Sequence, residues 1–430
     1  MFSSSLGGRD AAPASVYRHA LVRALIQILA PLGTGYGWSP LTLALGAVLM
    51  SLDPGPTLAQ RFESVLAVLD RALPRRRKTG RTYQGFVKAL SRHGEAIIGL
   101  LTPHLRALTI HAAGAEASIG RWTPIGVDGS KFDAPRTVAN EELGLAGKDK
   151  SGPQMVLLLL VHLGAMLPWG WAVGNAQDSE RMLLRRTLDE LPANTLLVAD
   201  AGFTGFELLS ELRARGMSFL IRVGRGVRLL RELGYYRREG KHTVYLWPDS
   251  KRTCAPLVLR LVVVGRAYLI TDVTDPRQLS RSMASEFYRR RWGLEVAFRS
   301  LKQTLERRKM RSCVPTNARI ELAFAVIGMW VLMLLGAKAI RSRGHGPRRL
   351  SVASTLATVR HAMHTDPSQR TLWGRLRRCT MEKSSRRSHK AAYRWPNKKN
   401  PPQPGPPSIT TATDSQVSTA RRLRTQRAAA

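Results

Sequence analysis

The sequence predicts an α/β protein: a mixed sheet covered by helices on both faces, preceded by a helical region and followed by a basic tail. Three observations carry this prediction. Short apolar runs alternate with helical spacing from residue 123 to residue 223. Two of those runs end in an aspartate. The periodicity is helical before about residue 115 and fades after about residue 344.

Residues 1–115 form the first region. Apolar positions recur every three or four residues in Leu21, Leu25, Ile28 and Leu29, and again in Phe62, Val65, Leu66, Val68 and Leu69. Between Ala24 and Leu52 the glycines and prolines imply two helices around a Gly-rich turn. A basic cluster, Arg75, Arg76, Arg77 and Lys78 with Arg81, precedes a second basic helix from Tyr83 to about Leu101. Helices interleaved with basic turns suit the binding of DNA ends. They suit a solvated helical bundle equally.

Residues 116–345 form the second region. TPIGVD (123–128), QMVLLLLVHLGA (154–165) and MLPWGWAVG (166–174) read as strands, the last two joined by a tight turn. A helix is expected from Asp178 to Leu191, capped by Asp178 or Ser179 and stopped by Pro192. TLLVADAGF (195–203) is the next strand with its exit loop. A helix from about Gly205 to Arg215 leads to the strand SFLIRV (218–223). Residues 224–275 break this rhythm with HTVYLW, LVLRLVVVG and YLITDV, which implies a β insertion. One long helix from about Leu279 to Arg308 follows, then an apolar helix from about Ala318 to Ile340.

Residues 346–430 form the third region. From Arg375 onward Arg, Lys, Ser, Thr and Pro dominate, with NKKNPPQPGPP at 397–407, so a largely disordered basic tail is expected.

The 430-residue chain carries 67 Lys and Arg against 30 Asp and Glu, a formal net charge of +37. Such a surface attracts polyanions, whether nucleic acid or anionic membrane, and says nothing about chemistry. Cys254, Cys313 and Cys379 are far apart, which argues against a structural zinc site or a disulfide framework. A cytoplasmic location is expected, since the N-terminus lacks the pattern of a signal peptide. No membrane span is expected: Leu322–Ala337 is uncharged but short of the ~20 residues a span needs. His361 and His364 read as a surface face, and Gly224 and Gly226 as a turn rather than a nucleotide loop.

Asp128 and Asp200 each end a strand. Acids at the carboxyl edges of neighbouring strands can converge, and close carboxylates repel unless a cation lies between them. Arg, Lys or Mg²⁺ could serve, and each Asp alone could equally cap a turn. In the long helix, Tyr288, Arg291, Glu295, Arg299 and Lys302 are spaced 3, 4, 4 and 3. At ~100° per residue they share one stripe roughly 80° wide. One acid in a basic stripe suits a phosphate-binding face with a metal ligand, or a solvated face of Arg–Glu pairs.

These residues carry a resemblance. Tyr288, Arg291, Glu295 and Lys302 fill the signature Y-x2-R-x3-E-x6-K of the insertion-sequence transposases of the family numbered four. GVDGS and VADAGF resemble that family's flanking acid motifs, with a β insertion between the second Asp and the Glu. The resemblance covers about Pro124 to Gly336. It implies an RNase H-like catalytic core in which Asp128, Asp200 and Glu295 hold two Mg²⁺ ions (or Mn²⁺) ~3.5–4 Å apart. It implies cleavage of double-stranded DNA at transposon ends, transfer of the 3′ ends to target DNA, a homodimer in the DNA complex, and a bacterial, nucleoid-associated enzyme. Tyr288, Arg291 and Lys302 would grip phosphates near the cleaved end, and Arg299, on the same stripe, is a further DNA-binding candidate. Trp292 would stack on an unpaired base or pack against the insertion, and Trp247 is a further stacking candidate. A nuclease that does not join strands and an inactive DNA-binding derivative acting as a repressor are the alternatives.

Overall fold

The computed structural model describes residues 17–33, 37–73, 80–145, 152–381 and 405–429. The basic cluster Arg75–Lys78 and most of the Pro-rich stretch at 397–407 lie outside the described residues. In chain order the helices α1 (Ala20–Ile28), α2 (Pro40–Leu52), α3 (Leu58–Ala72) and α4 (Tyr83–Ala113) come first. Strands β1 (Thr123–Asp133), β2 (Gln154–His162) and β3 (Leu167–Asn175) follow, then α5 (Glu180–Arg185), β4 (Thr195–Ala199), α6 (Phe206–Ala214) and β5 (Ser218–Val223). Next are β6 (Arg228–Arg231), β7 (Thr243–Leu246), β8 (Leu257–Val264), β9 (Ala267–Thr271), α7 (Arg281–Arg290) and α8 (Trp292–Arg299). The chain continues through α9 (Pro315–Arg341), α10 (Val352–Thr365), α11 (Gln369–Leu376), β10 (Ser408–Thr411) and α12 (Asp414–Ala429). The order β-β-β-α-β-α-β read from residues 123–223 is the one observed.

Two compact units divide these elements. The first comprises residues 1–117, 129–179 and 293–381; the second comprises 118–128, 180–292 and 382–430. In the first unit, β2 lies between the far end of β1 and β3, and the β2–β3 hairpin is antiparallel. Helix α9 runs through that unit's core. It is 27 residues long, about 40 Å, and so exceeds the thickness of a membrane's hydrocarbon layer. Length therefore does not exclude it as a span, contrary to the expectation from its charge-free segment alone. Burial decides: 94% of its most apolar window is enclosed within the protein. One buried polar group of α9 is satisfied within that core: the Trp330 indole N–H donates to Thr109 Oγ1 at 2.8 Å. Helix α4 is also long and apolar enough to cross a membrane, and 28% of its most apolar stretch is buried. Only one face of α4 is buried, by Phe86, Ile97, Leu101 and Leu105 at helical spacing, as on an amphipathic helix.

In the second unit the strand order is β1-β4-β5-β9-β8-β7-β6-β10. Strands β1, β4 and β5 are parallel, and β5 through β6 run antiparallel. The segment expected as a β insertion is thus a meander that widens the sheet, joined to it through the β5–β9 pairing.

Three expectations are corrected. The helix expected at Asp178–Leu191 is only α5 plus a short 3-10 turn at Leu188–Glu190. The long helix is shorter and less regular than expected: between α7 and α8 Arg291 keeps helical backbone angles, with its N–H shared between the carbonyls of Phe287 and Tyr288. A π turn, Ser300–Thr304, then ends α8, with Leu305 N bonded to Ser300 O at 2.8 Å. The third region is not a largely disordered tail where it is described. Helices α10 and α11 bury Leu356, Val359, Met363, Leu372 and Leu376 in the first unit's core. Strand β10 pairs with β6, and α12 follows it.

Candidate active site

Strands β1 and β4 pair in parallel with Gly126 opposite Val198. Continuing that register by two residues sets Asp128 opposite Asp200, on the same side of neighbouring strands spaced about 4.8 Å apart. Period two and parallel pairing thus bring together two acids that lie far apart in the sequence. Asp200 follows the last residue of β4 in extended conformation, and its Oδ1 accepts the Gly202 N–H at 2.9 Å. A Cβ on Gly202 would stand 3.1 Å from that same oxygen, so glycine keeps the loop close to the carboxylate.

A third carboxylate faces this pair. Glu180, at the start of α5, has its pKa raised by burial first and then by the negative charges of Asp128 and Asp200. The following residue, Arg181, donates to the Thr204 carbonyl at 3.2 Å, which ties α5 to the loop after Asp200. The sequence reading missed Glu180 because nothing local marks it. It follows a strand by five residues, as an ordinary helix-start acid would.

Arg291 is a buried partner of the first acid. Its Nη1 lies 3.5 Å from Asp128 Oδ2, it is only 8% exposed, and its guanidinium stands 5.5 Å from the Tyr288 ring. It therefore does not sit on an open basic stripe. Tyr288 is half-buried and Trp292 is 60% exposed. The exposure of Trp292 leaves its ring free to meet a ligand and does not fit packing against the meander.

Glu295, Arg299 and Lys302 belong to the first unit. Glu295 is half-buried and Arg299 is exposed. Lys302 falls within the π turn, whose wider i to i+5 bonding shifts it off the stripe extrapolated at 100° per residue. Its Nζ donates to Ser130 Oγ at 2.7 Å and stands 4.7 Å from the Phe132 ring, and burial lowers its pKa. Ser130 and Phe132 both lie on β1 just beyond Asp128. Another side of this segment is apolar as expected: Leu294, Ala297, Phe298 and Leu301 are buried, and Phe298 meets Phe132 with ring centroids 6.5 Å apart.

Trp247 is not available for stacking. It is 2% exposed, its indole N–H is shared between the carbonyls of Lys251 and Cys254, and Arg252 covers its ring at 4.3 Å. His361 and His364 are exposed, as expected of a surface face.

Among the described residues, no three His, Cys, Asp or Glu side chains stand close enough to enclose a metal ion by themselves. The Asp128–Asp200 pair nonetheless fits a hard divalent cation. It offers only oxygen donors, and Mg²⁺ is commonly held by one or two carboxylates with substrate phosphates and water completing its shell.

The profile of the family described as transposase DDE domain matches residues 123–332. The transposase InsG for insertion sequence element IS4 of Escherichia coli (strain K12) is 24% identical over 264 residues, 56% of this chain and 59% of that protein. The chain thus spans less than two thirds of the length of that relative. A cryo-EM structure of the piggyBac transposase synaptic complex with hairpin DNA covers 84% of this chain and 82% of its own, with a TM-score of 0.38 and 9% identity. So loose a likeness bears on neither fold nor chemistry.

Proposed function

We propose that the chain is a DDE transposase of the insertion-sequence type, which cleaves DNA at the ends of a mobile element and joins the freed 3′ ends to target DNA. The observation that carries this reading is the placement of Asp128 and Asp200 at matching ends of parallel neighbours, β1 and β4, inside the matched domain. In this reading the β2–β3 hairpin and the parallel strands form an RNase H-like core. Helices α1–α4 bind the DNA end, and two copies of the chain bring two ends together.

Asp128 and Asp200, with Glu295, are the residues that would hold divalent ions. Such ions supply Lewis acidity, neutralising charge on the phosphate and lowering the pKa of the attacking water. Mg²⁺ (or Mn²⁺), as two ions, is what the family resemblance implies, and the all-carboxylate donor set suits such hard cations. The Gly202 N–H fixes one oxygen of Asp200, and the Arg291 guanidinium holds one oxygen of Asp128. A carboxylate whose second oxygen is already engaged presents the first in one direction, and so needs less reordering when substrate arrives. Water attacks the phosphodiester phosphorus and the 3′ oxygen leaves as a hydroxyl. That hydroxyl then attacks a target phosphodiester in a second in-line displacement. Arg299, Lys302 and Tyr288 hold phosphates of the cleaved end, and Trp292 stacks on an unpaired base.

The test uses labelled linear DNA, a target plasmid and Mg²⁺. Joined products are expected from the wild-type protein. Asp128→Ala, Asp200→Ala and Glu295→Ala should each abolish cleavage and leave DNA binding intact. Cleavage without joining would make the protein a nuclease, and bound but intact DNA would make it a DNA-binding derivative. A Glu295→Ala variant that cleaves at near the wild-type rate removes Glu295 from the site.

A further inference from the structure

We propose that the C-terminal segment 405–429 and strand β6 build a DNA track that leads away from Asp200 and carries the backbone of the cleaved end. This rests on the reading of the chain as a DNA-cutting enzyme.

A groove with a volume of about 760 Å³ opens on the second unit. It begins at Thr204, four residues beyond Asp200, and its walls include Arg228, Leu230, Arg252, Ser408 and Thr410. The pairing of β10 with β6 explains this lining. Ser408 lies beside Arg228 and Thr410 beside Leu230, and with a period of two all four side chains face the same way. Strand β10 thus adds a row of hydroxyls to a cationic strand and forms the edge of the unit's sheet. An edge strand presents backbone N–H groups on its outer side. Hydroxyls, edge N–H groups and guanidinium groups are the donors that contact phosphate and sugar without reading bases.

The charge agrees. Arg228 and Arg252 are the cations in the groove's walls, and Arg225 stands close by, beside Gly405. Helix α12 adds exposed Arg421, Arg422 and Arg424, with Asp414 as its one acid. Arg424 also donates to the Gly234 carbonyl at 2.9 Å, which fastens the helix to the same unit. Asp249 on the rim is the opposing charge, and Arg252 neutralises it at 2.8 Å. With Thr204 in its wall, a positive lining and a chain charge of +37, the occupant is the DNA end rather than an acidic peptide.

The experiment measures binding of a fluorescein-labelled DNA duplex of mixed sequence by anisotropy, across a range of salt. The proteins are wild type, Arg228→Ala, Thr410→Glu and, as a control outside the groove, Arg266→Ala at the β8–β9 turn. Thermal melts confirm that each variant is folded. Arg228→Ala should reduce the magnitude of the log affinity against log salt slope by about 0.9, one phosphate contact. Thr410→Glu should weaken binding at least tenfold at low salt, with a smaller change for Arg266→Ala. Groove variants that bind as the wild type does, with an unchanged slope, overturn the track and leave the cleavage reading standing. A wild-type protein that binds no DNA at low salt defeats both. A folded Arg228→Ala that loses no more affinity than Arg266→Ala also overturns the track, since any surface cation would then do as well.

Discussion

At the residue scale the site is a balance of like charges. Glu180 faces two aspartates, and burial and those charges both raise its pKa. A carboxyl whose pKa is higher in the folded state than in the unfolded state contributes stability at acid pH and loses it as pH rises through the folded pKa. Glu180→Gln removes that loss while keeping the shape. In chelator, the variant should therefore melt at a higher temperature than wild type near neutral pH, the advantage vanishing as pH falls below the ordinary carboxylate range. A variant that is less stable than wild type at neutral pH would mean that Glu180 is held ionised by a partner. Arg291 makes the opposite case. Taken from the sequence alone, its stripe implied a solvent-facing cation whose loss would not disturb folding. Its burial beside Asp128 changes that expectation. Arg291→Ala should cost on the order of 3 kcal/mol, the lower end for breaking a buried pair, because Asp128 retains some exposure. Lys302→Ala, which loses one hydrogen bond to Ser130, should cost about 1 kcal/mol. Equal melting losses would contradict this ranking. Asp128 and Asp200 were legible because strand-ending acids are a local pattern. Glu180 and the Arg291 pairing were not, because both depend on how α5 and α7 pack, which no local spacing encodes.

At the element scale, the strands of residues 123–223 could be read because apolar runs of four to nine residues bounded by turn residues admit few other structures. The long helix could be read only in outline. Its residue types favour helix throughout, so neither the shared N–H of Arg291 nor the π turn leaves a compositional trace. The consequence falls on Lys302, which the turn redirects to β1. The apolar side of α8 is unaffected, because Leu294, Ala297 and Phe298 precede the turn. Phe298 is 7% exposed and packs on Phe132. Phe298→Ala should therefore cost roughly 3–5 kcal/mol, read as a lower denaturant midpoint with an unchanged m value. The specific activity of the folded fraction should hold, since Phe298 packs on Phe132 and is not itself a proposed ligand. A loss of activity without a loss of stability would place Phe298 in the site. Helices α10 and α11 were hidden for a different reason. Their apolar residues are sparse and interleaved with basic ones, and they become helical by docking on a core built from distant sequence.

At the scale of the whole molecule, the charge of +37 was legible from composition and its use was not. A count of cations gives affinity for any polyanion; a fold is needed to say where the cations stand. The exposed arginines of α12 and of β6 belong to one unit, while exposed Arg299 belongs to the other. A DNA bound through several such sites must release many counterions. Its affinity should fall as a power of the salt concentration, with an exponent near 0.9 for each phosphate contacted. Between low and moderate salt, six or more contacts would lower the affinity by at least about a thousandfold. Cleavage should respond differently. Once DNA is saturating, the chemical step depends on Asp128, Asp200 and the groups that hold them. Arg291 is shielded from solvent ions by its burial, and screening acts weakly on buried pairs. The expected result is an apparent Kd that climbs steeply with salt and a saturating single-turnover cleavage rate that scarcely moves. A cleavage rate that falls in parallel with affinity, even at saturating DNA, would show that exposed cations act in the chemical step. It would also count against the assignment of the carboxylates and the buried arginine beside them as the reacting centre.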